Sequence, residues 1–288
     1  MREAVRAQPG DDHLVASPGG YALIDAGDGR RLERFGARIV DRPAPGATDE
    51  RRSPKAWDAS HLRFDRRTGW AGPDRSAWPV ELEGLMLEAR PTEAGQVGLF
   101  PEQVRLWPWL HERLVDRPAA EVLHLFAHTG ATTLALARDG ARVAHVDASR
   151  PAVAWARKNA GLSGQSDRPV RWLVDDARPF VGREIRRERR YQGIVIDPPA
   201  WGHGQGSEPP WRLDDDLAPL LAGCARLADR SAFVLLTAHS VGWRPEQLAE
   251  ALDVAFGGGT IAAGDLDVGA ESGATLSLGS WASLIIRA

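Results

Sequence analysis

From residue 101 onward, the sequence alternates regularly between short apolar segments and longer segments with helical periodicity. The apolar segments are Val122–Phe126, Arg142–Val146, Val170–Val174, Gly193–Ile196 and Phe233–Thr237. The helical segments are Thr132–Arg138, Arg150–Ala160, Arg178–Arg187, Leu213–Leu227 and Pro245–Phe256. Strands that alternate with helices in this way form a parallel sheet with helices on both faces. The pattern therefore predicts an α/β fold with a doubly wound sheet.

We assign this sheet to a domain over residues 95–288. A helix predicted at Pro101–Val115 precedes the first strand, and two β-like segments, Thr260–Val268 and Leu276–Ile286, bring the strands to seven. Residues 1–94 have a different pattern, with short β-like segments at Tyr21–Asp25, Arg31–Val40, His61–Asp65 and Val80–Ala89. Turn signals such as Gly27-Asp28-Gly29 separate them. We predict a small β-rich accessory domain over 1–94, with a frayed tail over residues 1–20.

Composition limits the classes of protein that this chain can belong to. Hydrophobic residues make up 43% of the chain and charged residues 26%, as in an average soluble globular protein. No apolar run is long enough for a membrane helix, and the N-terminus lacks the apolar core of a secretory signal, so we expect a cytoplasmic protein. The single cysteine, Cys224, excludes an internal disulfide and any multi-cysteine zinc site. His124 and His128 lie four residues apart but on a strand and its loop, so we expect no metal site.

Ligands of doubly wound sheets bind beyond the carboxyl ends of the strands, so the residues after each strand are the candidates. The first predicted strand leads into Phe126-Ala127-His128-Thr129-Gly130. Its one glycine lets the backbone approach a ligand, but the three glycines of a dinucleotide loop are missing. The loop therefore suits a cofactor without phosphates, and the alternative is an ordinary strand-to-helix turn.

Acidic residues follow the next two strands. Asp147 is placed to accept hydrogen bonds from both hydroxyls of a ribose, or to cap the helix that begins at Arg150. Asp175 and Asp176 follow the third strand. We favour Asp176 as the partner of an adenine amino group, with the other carboxylate as a helix cap.

The fourth strand ends in Asp197-Pro198-Pro199-Ala200-Trp201-Gly202. Two prolines remove two backbone donors and stiffen the turn, which leaves the Asp197 carboxylate free to face a substrate. The alternative is a rigid loop that only closes the strand. Trp201 and Trp211 flank this substrate-side loop, where stacking on a base or flat ring competes with a role in the core.

Five motifs in this order identify a resemblance. The sequence reads FAHTG, VDAS, WARKNA, VDDA and IDPP. It resembles the class I S-adenosylmethionine-dependent methyltransferases, whose sheet is Rossmann-like. It is similar in particular to the ribosomal RNA large-subunit methyltransferase family, which includes 5-methylcytosine enzymes, and to bacterial relatives of that family. The segments VGLFPEQ and LLTAHS share in this resemblance, which covers most of residues 20–288.

The resemblance implies S-adenosylmethionine as the cofactor and assigns roles to the matching residues. The residues implied to contact it are Phe100, Gln103, Phe126, His128, Thr129, Gly130, Asp147, Ala148, Asp176 and Asp197. Within this set Asp147 would hold the ribose and Asp176 the adenine. Asp197 and Pro198 would lie where methyl donor and acceptor meet, and are the catalytic candidates.

The chain also departs from that family. The 5-methylcytosine enzymes place a nucleophilic cysteine after the fifth strand, where this chain has Thr237-Ala238-His239-Ser240. Methylation of a pyrimidine carbon needs a thiolate, and Cys224 lies in the preceding helix, where a small buried side chain is expected. We therefore favour a nitrogen or oxygen acceptor.

Three functions remain open at this point. The resemblance favours methylation of a ribosomal RNA base. The net charge of −3 and the expected absence of the family's RNA-binding domain favour a small-molecule or protein methyltransferase instead. A non-catalytic module that binds the cofactor is the third. The basic run Arg183–Arg190 could contact phosphates or form a solvated helix face, and a homodimer stays open.

Overall fold

The computed structural model describes residues 19–202, 209–240 and 242–286. Most of the predicted frayed tail, residues 1–18, lies outside the described residues. The accessory strands are β1 (Tyr21–Gly27), β2 (Arg30–Phe35), β3 (Arg38–Pro43), β4 (Leu62–Asp65), β5 (Gly69–Ala71), β6 (Trp78–Leu82) and β7 (Leu85–Ala89). The first five form one sheet in the order β1-β2-β3-β4-β5, and β6 and β7 form a separate hairpin. The 3₁₀ turn Pro54–Ala59 lies between β3 and β4.

The predicted single strand Arg31–Val40 is wrong, because the chain turns in its middle. Gly36 has a φ of +56°, and a Cβ there would lie 2.9 Å from the Pro79 carbonyl oxygen. The predicted turn between β1 and β2 is confirmed, since Asp28 and Gly29 have φ values of +54° and +73°. Two consecutive positive φ values are typical of a tight two-residue hairpin.

The main sheet has seven strands, as predicted. They are β8 (Glu121–Leu125), β9 (Arg142–Asp147), β10 (Val170–Val174), β11 (Tyr191–Ile196), β14 (Ala228–Ala238), β15 (Thr260–Gly269) and β16 (Thr275–Ile285). Between β11 and β14 lies a two-stranded hairpin of β12 (Trp201–Gly202) and β13 (Trp211–Arg212). The order in the main sheet is β10-β9-β8-β11-β14-β16-β15. The first five are parallel, whereas β16 runs antiparallel to β14 and β15.

Among the described residues, six α-helices cover the two faces of this sheet. They are α1 (Trp107–Leu114), α2 (Ala131–Arg138), α3 (Arg150–Leu162), α4 (Ala177–Arg186), α5 (Leu213–Leu227) and α6 (Pro245–Phe256). Helices α1 to α3 pack in succession on one face, and α4 to α6 on the other. The predicted helix Pro101–Val115 begins instead as a 3₁₀ turn, Pro101–Leu106, and becomes α-helical at Trp107. No helix among the described residues is both long and apolar enough to span a membrane.

The accessory strands pack on the main sheet. One hydrophobic cluster contains Leu23 and Leu87 of the accessory unit together with Leu110 of α1 and Phe233 of β14. Buried Asp25 of β1 accepts hydrogen bonds from Trp57 Nε1 at 2.9 Å and from Ser272 Oγ at 2.7 Å. Because Ser272 lies in the turn between β15 and β16, this carboxylate ties the accessory unit to the far end of the chain. The domain boundary between residues 94 and 95, which separates the accessory unit from the domain of the main sheet, stays a prediction.

A chain of buried polar side chains links β8, α2 and β9 beneath the carboxyl edge of the sheet. The Thr133 hydroxyl lies 2.8 Å from His124 Nδ1 and 2.8 Å from His145 Nδ1. Burial lowers the pKa of His124 to about 4 and holds the pKa of His145 well below its usual value. Both imidazoles are therefore neutral at physiological pH, and protonating either would place a charge in the core.

We expect the free energy of unfolding to fall as the pH drops from about 6.5 towards 4. In that window the unfolded chain takes up a proton at His124 that the folded chain does not, which costs about 2 kcal/mol at pH 5. Chemical denaturation at pH 7.5 and pH 5 measures the difference. His124→Gln should reduce it by that amount. A His124→Gln variant with the pH dependence of the wild type would contradict the expectation.

Candidate active site

The loop after β8 has an unusual backbone. Phe126 and His128 have positive φ values, +56° and +46°, in addition to Gly130 at +84°. Non-glycine residues in this region cost roughly 1–3 kcal/mol each and cluster at ligand sites. Gly130 is required by packing as well, because a Cβ there would lie 2.8 Å from the Ala156 Cβ of α3. The loop is thus pressed onto α3 in a strained shape.

Asp147, at the end of β9, holds that loop in place. Its Oδ2 accepts a hydrogen bond from the His128 backbone N–H at 2.8 Å, and its Oδ1 accepts one from the Ser149 N–H at 2.8 Å. The alternative that Asp147 caps α3 is wrong, because Ser149 is the N-cap and its Oγ accepts from Ala152 N at 3.2 Å. The half-buried Asp147 carboxylate keeps one acceptor position on each oxygen.

The neighbouring candidates line the same edge. Thr129 is buried, and its hydroxyl donates to the Gly98 carbonyl at 2.5 Å. The Phe100 ring lies 5.4 Å from the His128 ring, edge to face. His128 Nδ1 is buried without a hydrogen-bond partner among the described residues. Ala148 is half-buried between Asp147 and Ser149.

The third strand places its two acidic residues differently from the prediction. Asp176 is the N-cap of α4: its Oδ1 accepts from the Arg178 backbone N–H at 2.9 Å, and its Oδ2 accepts from Arg178 Nη2 at 2.9 Å. The cap therefore belongs to Asp176 and not to Asp175, which pairs with Arg183. An adenine contact by Asp176 stays a prediction, and it would use an oxygen that Arg178 already contacts.

Asp197, at the end of β11, lies at the centre of a polar cluster. Its Oδ2 accepts from Gln103 Nε2 at 2.5 Å, and its Oδ1 accepts from the Thr237 hydroxyl at 2.5 Å. His239 Nε2 lies 3.2 Å from the same Oδ1. The adjoining Pro198 is buried. Asp197 is therefore held by protein donors, and only its Oδ2 retains an acceptor position for another group.

Opposing charges fix the protonation states in this cluster. Burial alone would raise the pKa of Asp197, but the His239 charge and the hydrogen bonds lower it to about 2. Burial alone would lower the pKa of His239, but the Asp197 and Glu102 carboxylates raise it to about 9. At neutral pH the two side chains form a half-buried ion pair.

A small cavity lies beside Asp197. Its polar lining is Gln103, Thr132, Asp197 and Thr237, and its apolar lining is Leu106, Trp107, Leu110, Val195 and Leu235. Thr132 donates to Gln103 Oε1 at 3.1 Å, which orients the Gln103 amide towards Asp197. Sequence reasoning missed Glu102, and it considered Thr237 and His239 only as replacements for a cysteine. For Thr237 and His239, the sequence signal for a place in the site was their position at the carboxyl end of the fifth predicted strand.

The two tryptophans of the substrate-side loop have different environments. Trp211 is only 3% exposed, donates its indole N–H to the Pro199 carbonyl at 2.8 Å, and packs 4.8 Å from the Phe126 ring. The prediction that a substrate stacks on Trp211 is therefore wrong, because the buried ring packs against the Asp-Pro-Pro turn and is not accessible. Trp201 is 51% exposed. Residues 203–208, which follow Gly202 in this loop, lie outside the described residues.

Comparison with known proteins assigns the family. No family model matches the chain. The crystal structure of a SAM-dependent methyltransferase from Agrobacterium tumefaciens is 34% identical, with a TM-score of 0.88 over 95% of this chain and 93% of that one. The chain belongs to the S-adenosylmethionine-dependent methyltransferases. The Rossmann-like class I architecture predicted from the sequence is thereby confirmed.

Curated relatives align with part of this methyltransferase. The ribosomal RNA large subunit methyltransferase K/L of Shewanella frigidimarina is 31% identical over 107 residues, which are 37% of this chain and 15% of that protein. The protein of the same name from Methylococcus capsulatus is 28% identical over 128 residues, or 44% of this chain and 17% of that protein. The matched segment is less than a fifth of each relative.

The residues at the carboxyl edge fit the family's cofactor, S-adenosylmethionine. Asp147 offers two acceptor positions suited to a pair of hydroxyls, and the unpartnered His128 Nδ1 offers another acceptor in a buried position. Burial lowers the pKa of His128, which keeps that ring neutral and able to accept. Among the described residues, no group of His, Cys, Asp and Glu side chains could hold a metal ion.

Proposed function

We propose that this methyltransferase methylates a nitrogen or oxygen atom of an RNA base, with ribosomal RNA as the substrate class. The observation that carries the choice of atom is the cluster around Asp197, which has a carboxylate and an imidazolium but no thiol. The similarity to the two ribosomal RNA methyltransferases supports the substrate class. We also propose a cytoplasmic location. A homodimer is a further possibility, and light scattering would distinguish it from a monomer.

The proposed cofactor contacts are the residues named from the sequence. Asp147 takes the ribose, and Asp176 takes the adenine. The contacts along the methionine part are Phe126, His128, Thr129 and Gly130. The other proposed contacts are Phe100 and Gln103, which line the pocket, together with Ala148 and Asp197. When bound, S-adenosylmethionine supplies a methyl group that is already electrophilic.

Asp197 orients the acceptor. Its Oδ2 accepts an N–H of the base, which turns the nitrogen lone pair towards the methyl donor. A carboxyl group with a pKa of about 2 binds a proton too weakly to act as a strong base at neutral pH. Asp197 is therefore an orienting group, and a proton displaced from the base passes on to solvent. The exposed Trp201 offers a ring on which the base can stack.

The experiment compares acceptors directly. Purified protein is incubated with S-adenosylmethionine labelled in its methyl group, and with RNA, protein or low-mass fractions from cells that lack the gene. Label in ribosomal RNA that elutes with an N- or O-methylated nucleoside supports the proposal. Label confined to the low-mass or protein fraction would favour the alternative to which the net charge of −3 points. Cofactor binding without transfer to any fraction would indicate a non-catalytic module.

The Cys224→Ser variant should retain methyl transfer at a rate within about twofold of the wild type. Cys224 is fully buried in α5, and burial raises the pKa of its thiol to about 12, so almost no thiolate forms at neutral pH. Single-turnover transfer to the identified acceptor is the measurement, with melting temperature as the control for folding. A folded, cofactor-binding but inactive variant would restore covalent carbon methylation as the mechanism.

A further inference from the structure

Glu102 is a buried carboxylate next to the site that has no part in the proposed cofactor contacts or in orienting the acceptor. It lies on the 3₁₀ turn beside Gln103, is only 4% exposed, and its Oε1 lies 3.5 Å from His239 Nδ1. His239 Nδ1 also lies 2.7 Å from the Leu278 carbonyl oxygen of β16, and Nε2 faces Asp197. Both ring nitrogens therefore face acceptors, and only the doubly protonated ring donates to both.

The other side of Glu102 faces the accessory sheet. There Glu33 of β2 is fully buried, with Arg42 Nη2 at 2.6 Å and Arg31 Nε at 3.3 Å. The Tyr21 hydroxyl of β1 donates to Glu33 Oε1 at 3.1 Å. Burial raises the pKa of Glu102, while the charges of His239 and Arg31 oppose that rise and the charge of Glu33 adds to it. Arg31 is thus close enough to Glu102 to influence its ionisation.

Charges of opposite sign alternate within each of two groups. In the accessory sheet, Glu33 lies between Arg42 and Arg31. At the site, His239 lies between Glu102 and Asp197. A buried charge is tolerated when its neighbours have the opposite sign, and loss of one partner leaves the next one uncompensated. Without Glu102, His239 would keep only one carboxylate, and its proton affinity would fall.

We propose that Glu102 is a positioning residue for methyl transfer, and that it holds His239 as a cation against Asp197. The assignment rests on the proposed role of Asp197. A purely structural ion cluster would anchor the accessory unit equally well, so the test needs a readout that anchoring does not change.

The first readout is the titration of His239, followed by NMR of the imidazole carbons and assigned with a His239→Gln variant. In Glu102→Gln, which preserves shape, the pKa of His239 should fall by about one unit or more, a tenfold loss of proton affinity. The matched control is Glu88→Gln, another buried glutamate of the accessory unit, which pairs with Lys158 outside the site. A folded Glu102→Gln protein with an unchanged His239 titration would overturn the proposal.

The second readout is the single-turnover rate of methyl transfer as a function of pH. In the wild type the rate should fall above about pH 9, where His239 loses its proton. In Glu102→Gln that fall should move about one unit lower, with S-adenosylhomocysteine affinity within twofold, and Glu102→Asp should restore part of the shift. A lowered pKa with an unchanged rate profile would reduce Glu102 to an anchor and overturn its positioning role. If no RNA is methylated by any variant, the proposed substrate fails, while the His239 titration still decides this assignment.

Discussion

Replacing Asp197 with asparagine should lower the single-turnover rate of methyl transfer at least about a hundredfold, with S-adenosylhomocysteine affinity within about threefold. The Asp197 Oδ2 is the group proposed to orient the acceptor nitrogen, and small errors in alignment cost rates of this size. An amide Nδ2 in that place would donate towards the substrate N–H instead of accepting from it. The change should therefore appear in the transfer step and not in cofactor binding.

Asparagine is the informative replacement because the cluster can accommodate it. If the Gln103 amide turns over, its oxygen accepts from the new Nδ2, and its nitrogen donates to the Thr132 hydroxyl. Thr237 and His239 keep their acceptor on the remaining oxygen. The matched control is Asp139→Asn, at the C-terminal end of α2 on the opposite edge of the sheet, where the carboxylate pairs with His111. Similar rates of methyl transfer in Asp197→Asn and Asp139→Asn would show that Asp197 does not orient the acceptor.

Replacing Asp147 with alanine should weaken S-adenosylhomocysteine binding roughly tenfold to a hundredfold. A charge-assisted hydrogen bond contributes about 1.5–3 kcal/mol, which corresponds to that range of dissociation constants. The carboxylate also holds the His128 N–H of the strained loop, so part of the loss would come from a less ordered loop. Isothermal calorimetry measures the affinity directly.

The control for Asp147 is the neighbouring cap. Ser149→Ala removes the N-cap of α3 and should lower the free energy of unfolding by about 1 kcal/mol, with cofactor affinity nearly unchanged. Asp147→Ala should show the opposite balance, a large loss of affinity with a smaller loss of stability. Equal affinities in the wild type and Asp147→Ala would contradict the ribose assignment.

The sequence was sufficient for the frame of the main sheet. The apolar segment at Val170–Val174 and the helices Leu213–Leu227 and Pro245–Phe256 have the predicted bounds, because their periodicity and flanking turn residues are local signals. The position of Asp147 and Asp197 at strand ends was equally readable. A local pattern does not report on the direction of β16, whose antiparallel insertion depends on distant partners.

The details of the site depended on three-dimensional neighbours. Trp211 and Trp201 look alike in sequence, yet the first is buried against Phe126 and the second is exposed. The predicted helix cap was Asp175, and the observed cap is Asp176. Both carboxylates directly precede α4, and the sequence does not tell which of them accepts from the Arg178 backbone N–H in the first turn of the helix. Glu102 was missed because its partner His239 lies far away in the sequence, and a pair at that separation leaves no local pattern.

The insertion of β16 between β14 and β15 has a consequence for the order in which the enzyme is built on the ribosome. His239 follows the carboxyl end of β14, but the carbonyl oxygen that accepts the hydrogen bond from its Nδ1–H belongs to Leu278 of β16. Ser272, whose hydroxyl donates to Asp25 of β1, lies in the turn just before β16. The nascent chain can therefore pair its five parallel strands before the proposed site is complete, because residues 275–285 must first emerge and enter the sheet. Among the described strands, β16 comes latest in the chain and supplies a partner of the proposed site.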